Sequence, residues 1–596
     1  MNKFYLLLFS AILMLASSVF SEEYYFKFKI SEKKELDAVT KLISIDNVID
    51  NTVYAYANDK ELDRFISYGY ELEFLPKPSE LFEAPMAKSV AGLADWDTYP
   101  TYQQYDSMMN QFAADYPLLC QLVVIGTTPD GHELLAVKIS DNVTMEEDEP
   151  EVFLTSSIHG DETTGFVLML RLIDHLLSNY ATDHSVRDLV DEVELWINPA
   201  ANPDGTYAGG DNTVNGATRG NANFIDMNRN FPDPQDGPHP DGNAYQQEVL
   251  DMMDFADLHS FNLAMNIHGG AEVFNYPWDT WSRLCADNSW WVSIGRDFAD
   301  TVHTYAPSSY LDGFNNGITN GYDWYEVAGG RQDYMNYYKK CREVTYEISN
   351  TKLLPGSQLP AHWDYNKKSF IMYIENSLEG IRGIVTDSTT GLPVFAMIEV
   401  VGYDIDIDSS QVVTDPDVGD YHRMILPGTY TIEVTAPGYV TKTVSGISVS
   451  TGPATVVDVE LAPVSADPVF GFVSHDLSSA DPGDSNIPMH ITLSNDGGGN
   501  AVNTIGTLVT SDPYITINQD TSTYPTIGAL GGTAESYTAY NFSISPSCPA
   551  QYTATFELQI TADGGYFDTL QFDITIGLMV EDFESGDFMV YPWVMS

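Results

Sequence analysis

The chain has 596 residues, with 85 acidic against 27 basic side chains and a formal charge of −58. That balance argues against a nucleic-acid partner, because phosphates would be repelled. Hydrophobic residues at 43% and aromatics at 12% exclude a disordered chain, and the length excludes a single core. The charge reads as a solvated acidic surface that keeps an exported protein soluble, in preference to a calcium-loaded one. Calcium finds no support in the motifs.

The N-terminus, MNKFYLLLFSAILMLASSVFSEE, has Lys3, an apolar run from Phe4 to about Leu15, and then Ser17, Ser18 and Ser21. This is the pattern of a secretory signal over 1–21. No other apolar stretch approaches a spanning length of about 18 residues, so no membrane insertion is expected after its removal. The mature protein is expected to be extracellular, periplasmic or attached to a cell surface. Residues 22–82 read as a small α+β unit. YYFKFKI, NTVYAYA and YELEFLP are its strands, KKELDAVTKLI and DKELDRFISYG its helices. A linker follows over 83–94.

From 95 to 380 buried strands alternate with amphipathic helices, which predicts an α/β domain with a mixed sheet flanked by helices. EVFLTSSI, ELWINPA, NLAMNIH and REVTYEIS are strands, and ETTGFVLMLRLIDHLLSNY is a helix. Two β-sandwich domains follow, at 381–463 and 466–576. The stretch 577–596, VEDFESGDFMVYPWVMS at its end, reads as the start of a further domain. The fold class is therefore multidomain. Four cysteines, Cys120, Cys285, Cys341 and Cys548, are too few for a disulfide scaffold. Cys285–Cys341 is the favoured pair, since both fall in one domain.

The word His159-Gly160-Asp161-Glu162 is weak by itself, because 12 histidines give about 0.7 His-x-x-Glu words by chance. Its position strengthens it: it follows a strand and opens a helix. His268 ends another strand, with Gly269 and Gly270 behind it. Ligands at the C-terminal edges of neighbouring strands are what an open α/β sheet offers, and a catalytic zinc takes three of them. Between and beyond them come NPDG (202–205), GATRGNANFIDMNRNFPD (216–233) and GITNGYDWYEVAGGRQDY (317–334), and Glu347 lies inside an apolar strand. A charge there is rarely buried without a partner or a task.

In this order and at these intervals HGDE, NPDG, TRGNAN…DMNRNFPD, NIHGG…NYPWD, GITNG…GGRQDY and VTYEIS resemble the zinc metallocarboxypeptidase family, and within it the N/E or regulatory branch. Residues 381–463 resemble the transthyretin-like domain that follows the catalytic domain in that branch. Residues 466–576 are similar to adhesive β-sandwich modules, and 22–82 sit where the family often has a prosegment, which cleavage near Lys88 would separate. The resemblance implies one Zn²⁺ held by His159, Glu162 and His268, with Asp226 orienting a ligand histidine. It makes Glu347 the general base and acid and Arg219 the stabiliser of the oxyanion. Asn228 and Arg229 would clamp the substrate's terminal carboxylate under Tyr325, and Asp279 with Gln332 would line the pocket for its last side chain. An aspartate there implies preference for C-terminal Lys or Arg. Arg331 departs from the branch, which has Met at this place, and would stand near enough to Asp279 to neutralise it.

The function implied is hydrolysis of the last peptide bond of peptides and proteins. A related zinc deacylase or amidase would need no carboxylate clamp, and a non-catalytic secreted binding protein would not need Glu347. The sequence carries no statement of oligomeric state.

Overall fold

The computed structural model describes residues 22–464, 467–477 and 480–577. The expected signal at 1–21, and all but the first residue of the expected further domain at 577–596, lie outside them. Among the described residues no helix is long and apolar enough to cross a membrane.

The N-terminal unit is an antiparallel sheet of β1 (Glu23–Lys29), β2 (Ser44–Ile49), β3 (Thr52–Asn58) and β4 (Glu73–Leu75), in the order β2-β3-β1-β4. A helix, Asp59–Ile66, covers it and closes a core around Phe26, Phe28 and Phe65. Asn58 caps that helix: its side chain accepts from Glu61 N, and the Glu61 carboxylate accepts from Asn58 N. The helix expected over KKELDAVTKLI shrinks to two short turns, Lys33–Glu35 and Leu36–Val39. Ile43, Ile45, Val48 and Ile49 favour the pleated sheet that follows. Asp46 is the extra residue of a bulge in β2: Ile45 pairs with Ala55 and Asn47 with Tyr54, leaving Asp46 without a partner on β3. Bulges bend a strand and re-aim a side chain. The stretch 83–94 is packed rather than free. Ala84, Ala87 and Leu93 are buried in the next domain's core, and Ala87 N donates to Tyr99 O.

The next domain is built on an eight-stranded mixed sheet of β5 (Cys120–Thr127), β6 (Glu133–Ile139), β7 (Glu151–Ser156), β8 (Glu194–Asn198), β9 (Leu263–His268), β10 (Glu272–Tyr276), β11 (Ile318–Asn320) and β12 (Arg342–Ile348). The order is β11-β10-β12-β9-β7-β8-β6-β5, and β8, β7, β9 and β12 run parallel. Apolar cores cover both faces. Val152 and Leu154 of β7 enter one with the helix Thr164–Asn179, and Phe153 enters the other with Phe255 and Phe261. This two-sided burial is why the central strands read as continuous apolar runs. It also overturns the expected Cys285–Cys341 pair. Cys285 lies in the first core and Cys341 in the second, on opposite sides of the sheet, and all four cysteines are free and buried.

Residues 381–463 form two small sheets. One holds β13 (Ile381–Asp387), β16 (Asp420–Arg423), β19 (Thr455–Val456) and β20 (Val459–Leu461); the other holds β14 (Met397–Val400), β15 (Val412–Val413), β17 (Gly428–Thr435) and β18 (Lys442–Val449). Buried Arg423 donates to Asp404 at 2.6 Å and to Asp287 at 2.8 Å, and Asp287 also receives Arg342 at 2.8 Å. The chain divides into two compact units. One comprises the chain up to Val385 with 393–434 and 443–459, and the other takes 386–392, 435–442 and 460 onward. In the latter, Met489, Leu493, Phe542 and Phe556 form an apolar core, and Tyr552–Ala562 and Tyr566–Ile576 pair along their whole length.

Candidate active site

Because β7, β9 and β12 are adjacent and parallel, their C-terminal ends open at one edge of the sheet. His268 is the last residue of β9 and stands in register with Glu347 of β12, so both project from one place. Past β7 the chain turns at Ser157, whose φ of +56° is unusual for a residue with a side chain. Its hydroxyl donates to Glu162 O at 2.8 Å and holds the His159–Glu162 turn. Gly160 is required by packing, since a Cβ there would lie 2.3 Å from the backbone of Gly205 in NPDG.

The three expected ligands converge. His159 Nδ1 and His268 Nδ1 face each other at 3.0 Å, and the Glu162 oxygens lie 3.0 and 2.9 Å from them. Two imidazole lone pairs and a carboxylate aimed at one point need a positive centre between them. The set fits a tetrahedral zinc ion with one position left open. On the far side of His159, Nε2 meets Asp226 Oδ1 at 3.1 Å, which fixes the ring with Nδ1 free to bind. Burial lowers His268 to about 4 against the pull of Glu162, so it is neutral as a ligand must be. Burial would raise Glu162, but His159 and Lys352 hold it well below the usual carboxylate range. Burial and the Glu162 charge raise Glu347, which is half-buried and carries an unpartnered Oε2.

The remaining expected residues line the same cleft or flank it. Arg219, Asn228, Arg229, Tyr325 and Asp279 surround it with the ligands and Glu347. Arg219 Nη1 is 3.0 Å from Glu162 Oε1, and its Nε is 3.2 Å from Asp226 Oδ2. Gln332 lies behind the cleft, where its Oε1 accepts from Thr345 N at 2.6 Å. Asn228 Oδ1 accepts from Arg331 N at 2.8 Å. The Arg331 side chain does not stand near Asp279. It runs under the sheet, over the Phe153 ring, to Glu343 at 3.0 Å and to Thr155 Oγ1. The expected neutralisation of Asp279 by Arg331 is therefore absent, because Glu343 has already taken the charge.

Sequence reasoning missed four residues. Lys352 is buried and sits 3.0 Å from Glu162, and its only signal was one basic residue shortly after β12. The others are Ser44, Ile45 and Asp46 of β2, which touch the cleft residues, Asp46 lining the cleft itself. Ile45 O accepts from Arg229 Nη2 at 3.1 Å, Arg219 Nη2 at 3.4 Å and Tyr325 Oη at 3.4 Å. Asp46 lies 2.6 Å from Lys352 Nζ and 3.4 Å from Arg219 Nη1. Ser44 Oγ accepts from Arg219 Nε at 2.7 Å and donates to Asp226.

The chain is similar to known proteins over both of these domains. The zinc carboxypeptidase family matches residues 105–369, and the carboxypeptidase regulatory-like domain matches 380–462. Carboxypeptidase D of Rattus norvegicus is 33% identical over 362 residues, 58% of this chain and 26% of that protein. The chain thus spans about a quarter of the length of that relative. The carboxypeptidase N catalytic chain of Homo sapiens is 32% identical over 396 residues, 59% of this chain and 83% of that one. Carboxypeptidase SOL1 of Arabidopsis thaliana is 32% identical over 353 residues, 58% of this chain and 69% of that one. With its regulatory-like domain after the catalytic one, the chain belongs to the zinc carboxypeptidase family.

Proposed function

We propose that this protein is an exported zinc metallocarboxypeptidase that removes single C-terminal residues, prefers Lys or Arg, and is held latent by residues 22–82. The observation that carries the reading is the convergence of His159, Glu162 and His268 beside Glu347, with Arg219, Arg229 and Tyr325 grouped on one acceptor. When bound, zinc supplies Lewis-acid chemistry that makes water nucleophilic near neutral pH. Glu347 takes the proton of the attacking water and returns it to the leaving amine. Arg219 offers a fixed positive charge to the oxygen on which negative charge develops, at no cost of reorganisation. Asn228 and Arg229 hold the terminal carboxylate, and Tyr325 closes over the last residue. A deacylase would have no use for that clamp.

The latent state rests on β2. The carbonyl of Ile45 takes donors from Arg219, Arg229 and Tyr325 together, so it stands in for a substrate oxygen. A substrate C-terminus needs those same donors.

The test is made on protein freed of residues 22–82. His159→Ala is expected to lose both its catalytic zinc and its activity. Glu347→Gln should keep the zinc while turnover on a peptide ending in Arg falls at least about a hundredfold. Near-normal turnover in Glu347→Gln would remove the mechanism.

A further inference from the structure

A second group of donors lies away from the cleft, between the loop that precedes β7 and strand β16. Asp420 and His422 are two apart on β16, so both side chains point to the same face. They are 4% and 2% exposed. Asp148, from the loop joining β6 to β7, completes the group on the solvent side, its side chain 36% exposed. One donor atom from each of the three lies within 4.8 Å of the others, as in His159, Glu162 and His268.

Each member has one partnered polar atom and one buried atom with none. Asp148 Oδ2 faces Arg382 at 3.7 Å, while its Oδ1 is bare. Asp420 Oδ2 meets His422 Nε2 at 2.8 Å, while Asp420 Oδ1 and His422 Nδ1 are bare. Leaving three such buried atoms unpaired is costly, and buried polar groups ordinarily find a partner. One imidazole and two carboxylates are a donor set for a divalent cation. Beside Asp420 a small cleft is lined by Glu149, Glu151, Glu194 and Asp415, with no Lys or Arg in its lining. Lys138 reaches Glu194 at 2.5 Å and Glu146 at 3.2 Å, and His259 faces Glu151 at 3.1 Å, so the remaining excess of negative charge lies on Glu149 and Asp415. The local field therefore draws cations.

We propose that Asp148, Asp420 and His422 bind a second divalent cation, of the zinc class, which pins the loop before β7 to β16. The imidazole distinguishes this class from calcium, which takes oxygen ligands. Two carboxylates and one histidine leave a fourth position for solvent on the exposed Asp148 side. The ion joins the catalytic domain to the regulatory-like segment and takes no part in peptide hydrolysis.

The experiment counts zinc in the full chain after saturation and desalting, and follows thermal unfolding. Wild type is expected to hold two equivalents, and His422→Ala, Asp420→Asn and Asp148→Asn one each. His159→Ala should also hold one, and its Tm should rise when zinc is added. His159→Ala/His422→Ala should hold none and show no rise. Asp148→Asn, at the partly exposed member, guards against misfolding of the two strand variants. One equivalent in the wild type with none in His159→Ala would overturn the second site while leaving the first intact. A Tm rise with calcium and none with zinc would overturn the assignment of cation class.

Discussion

Burial pushes the Asp279 carboxyl up to about 6, against a hydrogen bond from Asn275 at 3.0 Å and the charge of Arg229. It reaches the cleft because residue 321 is glycine, where a Cβ would lie 1.6 Å from Asp279 Oδ1. A carboxyl with a raised pKa is neutral below that value and charged above it. At neutral pH Asp279 is therefore an anion with little solvent, and pairing with a cationic side chain is worth about 2–5 kcal/mol if the alternative leaves it unpaired. The preference for Arg over Phe at the substrate's end, read as a ratio of kcat/KM, is expected to rise as pH passes through about 6 and level off above it. Asp279→Asn should make the ratio small and independent of pH. A wild type that prefers Phe, or a ratio flat in pH, would refute basic specificity and spare the peptidase. At this scale the sequence was most readable where a side chain is chemistry in a fixed motif: every expected ligand and pocket residue lies in or beside the cleft. Arg331 was misread because its neighbours in the sequence are pocket residues while its partner, Glu343, belongs to a strand whose alternation aims it under the sheet.

Strand β2 stands against the site. Its bulge turns Asp46 toward Lys352 and Arg219, and its backbone gives the Ile45 carbonyl to three donors. Tyr56 of neighbouring β3 adds a hydrogen bond to Asp161 at 2.7 Å, beside the ligand Glu162. Residues 83–596, which keep Ala84, Ala87 and Leu93 of the catalytic core, are expected to exceed 22–596 in kcat/KM by at least about tenfold, the effect of a closed population of about 90%. In the intact chain Asp46→Ala should recover part of that gain, since it removes two ion pairs but leaves the Ile45 carbonyl in place. Equal activity of the two forms would make 22–82 a permanent folding partner instead of an inhibitor. Elements with strong period were legible in the sequence. The strands EVFLTSSI, ELWINPA, NLAMNIH and REVTYEIS and the helix after HGDE all form, with ends shifted by only a few residues. β2 was not. SIDNVI has a polar pair at its centre, so its apolar residues do not alternate, and the bulge that breaks the period is the feature that carries Asp46 into the cleft.

Across the molecule, 27 basic residues face 85 acidic ones, and several of the few cations are inside. Arg219, Arg331, Arg342, Lys352 and Arg423 are all under 5% exposed, each against a buried carboxylate. The surface keeps the excess of anions, while the interior is held by a small number of matched charges. Asp287 is the clearest case, because it receives Arg342 of the catalytic sheet and Arg423 of β16 at once. Burial would raise its carboxyl, but the two guanidinium groups keep it low. Removing it leaves two buried cations facing each other, with only Asp404 to share between them. Breaking a buried pair by deleting one partner costs about 3–5 kcal/mol. Asp287→Ala is therefore expected to lower the first thermal unfolding transition of the full chain by roughly 10 °C. Asp300→Ala, whose pair with Arg296 is solvent-exposed at 3.7 Å, should change stability by less than about 1 kcal/mol. If both variants unfold at the wild-type temperature, the buried cluster does not join the regulatory-like segment to the catalytic domain. If Asp287→Ala unfolds early yet keeps wild-type kcat/KM below its transition, the regulatory-like segment supports the peptidase through stability alone.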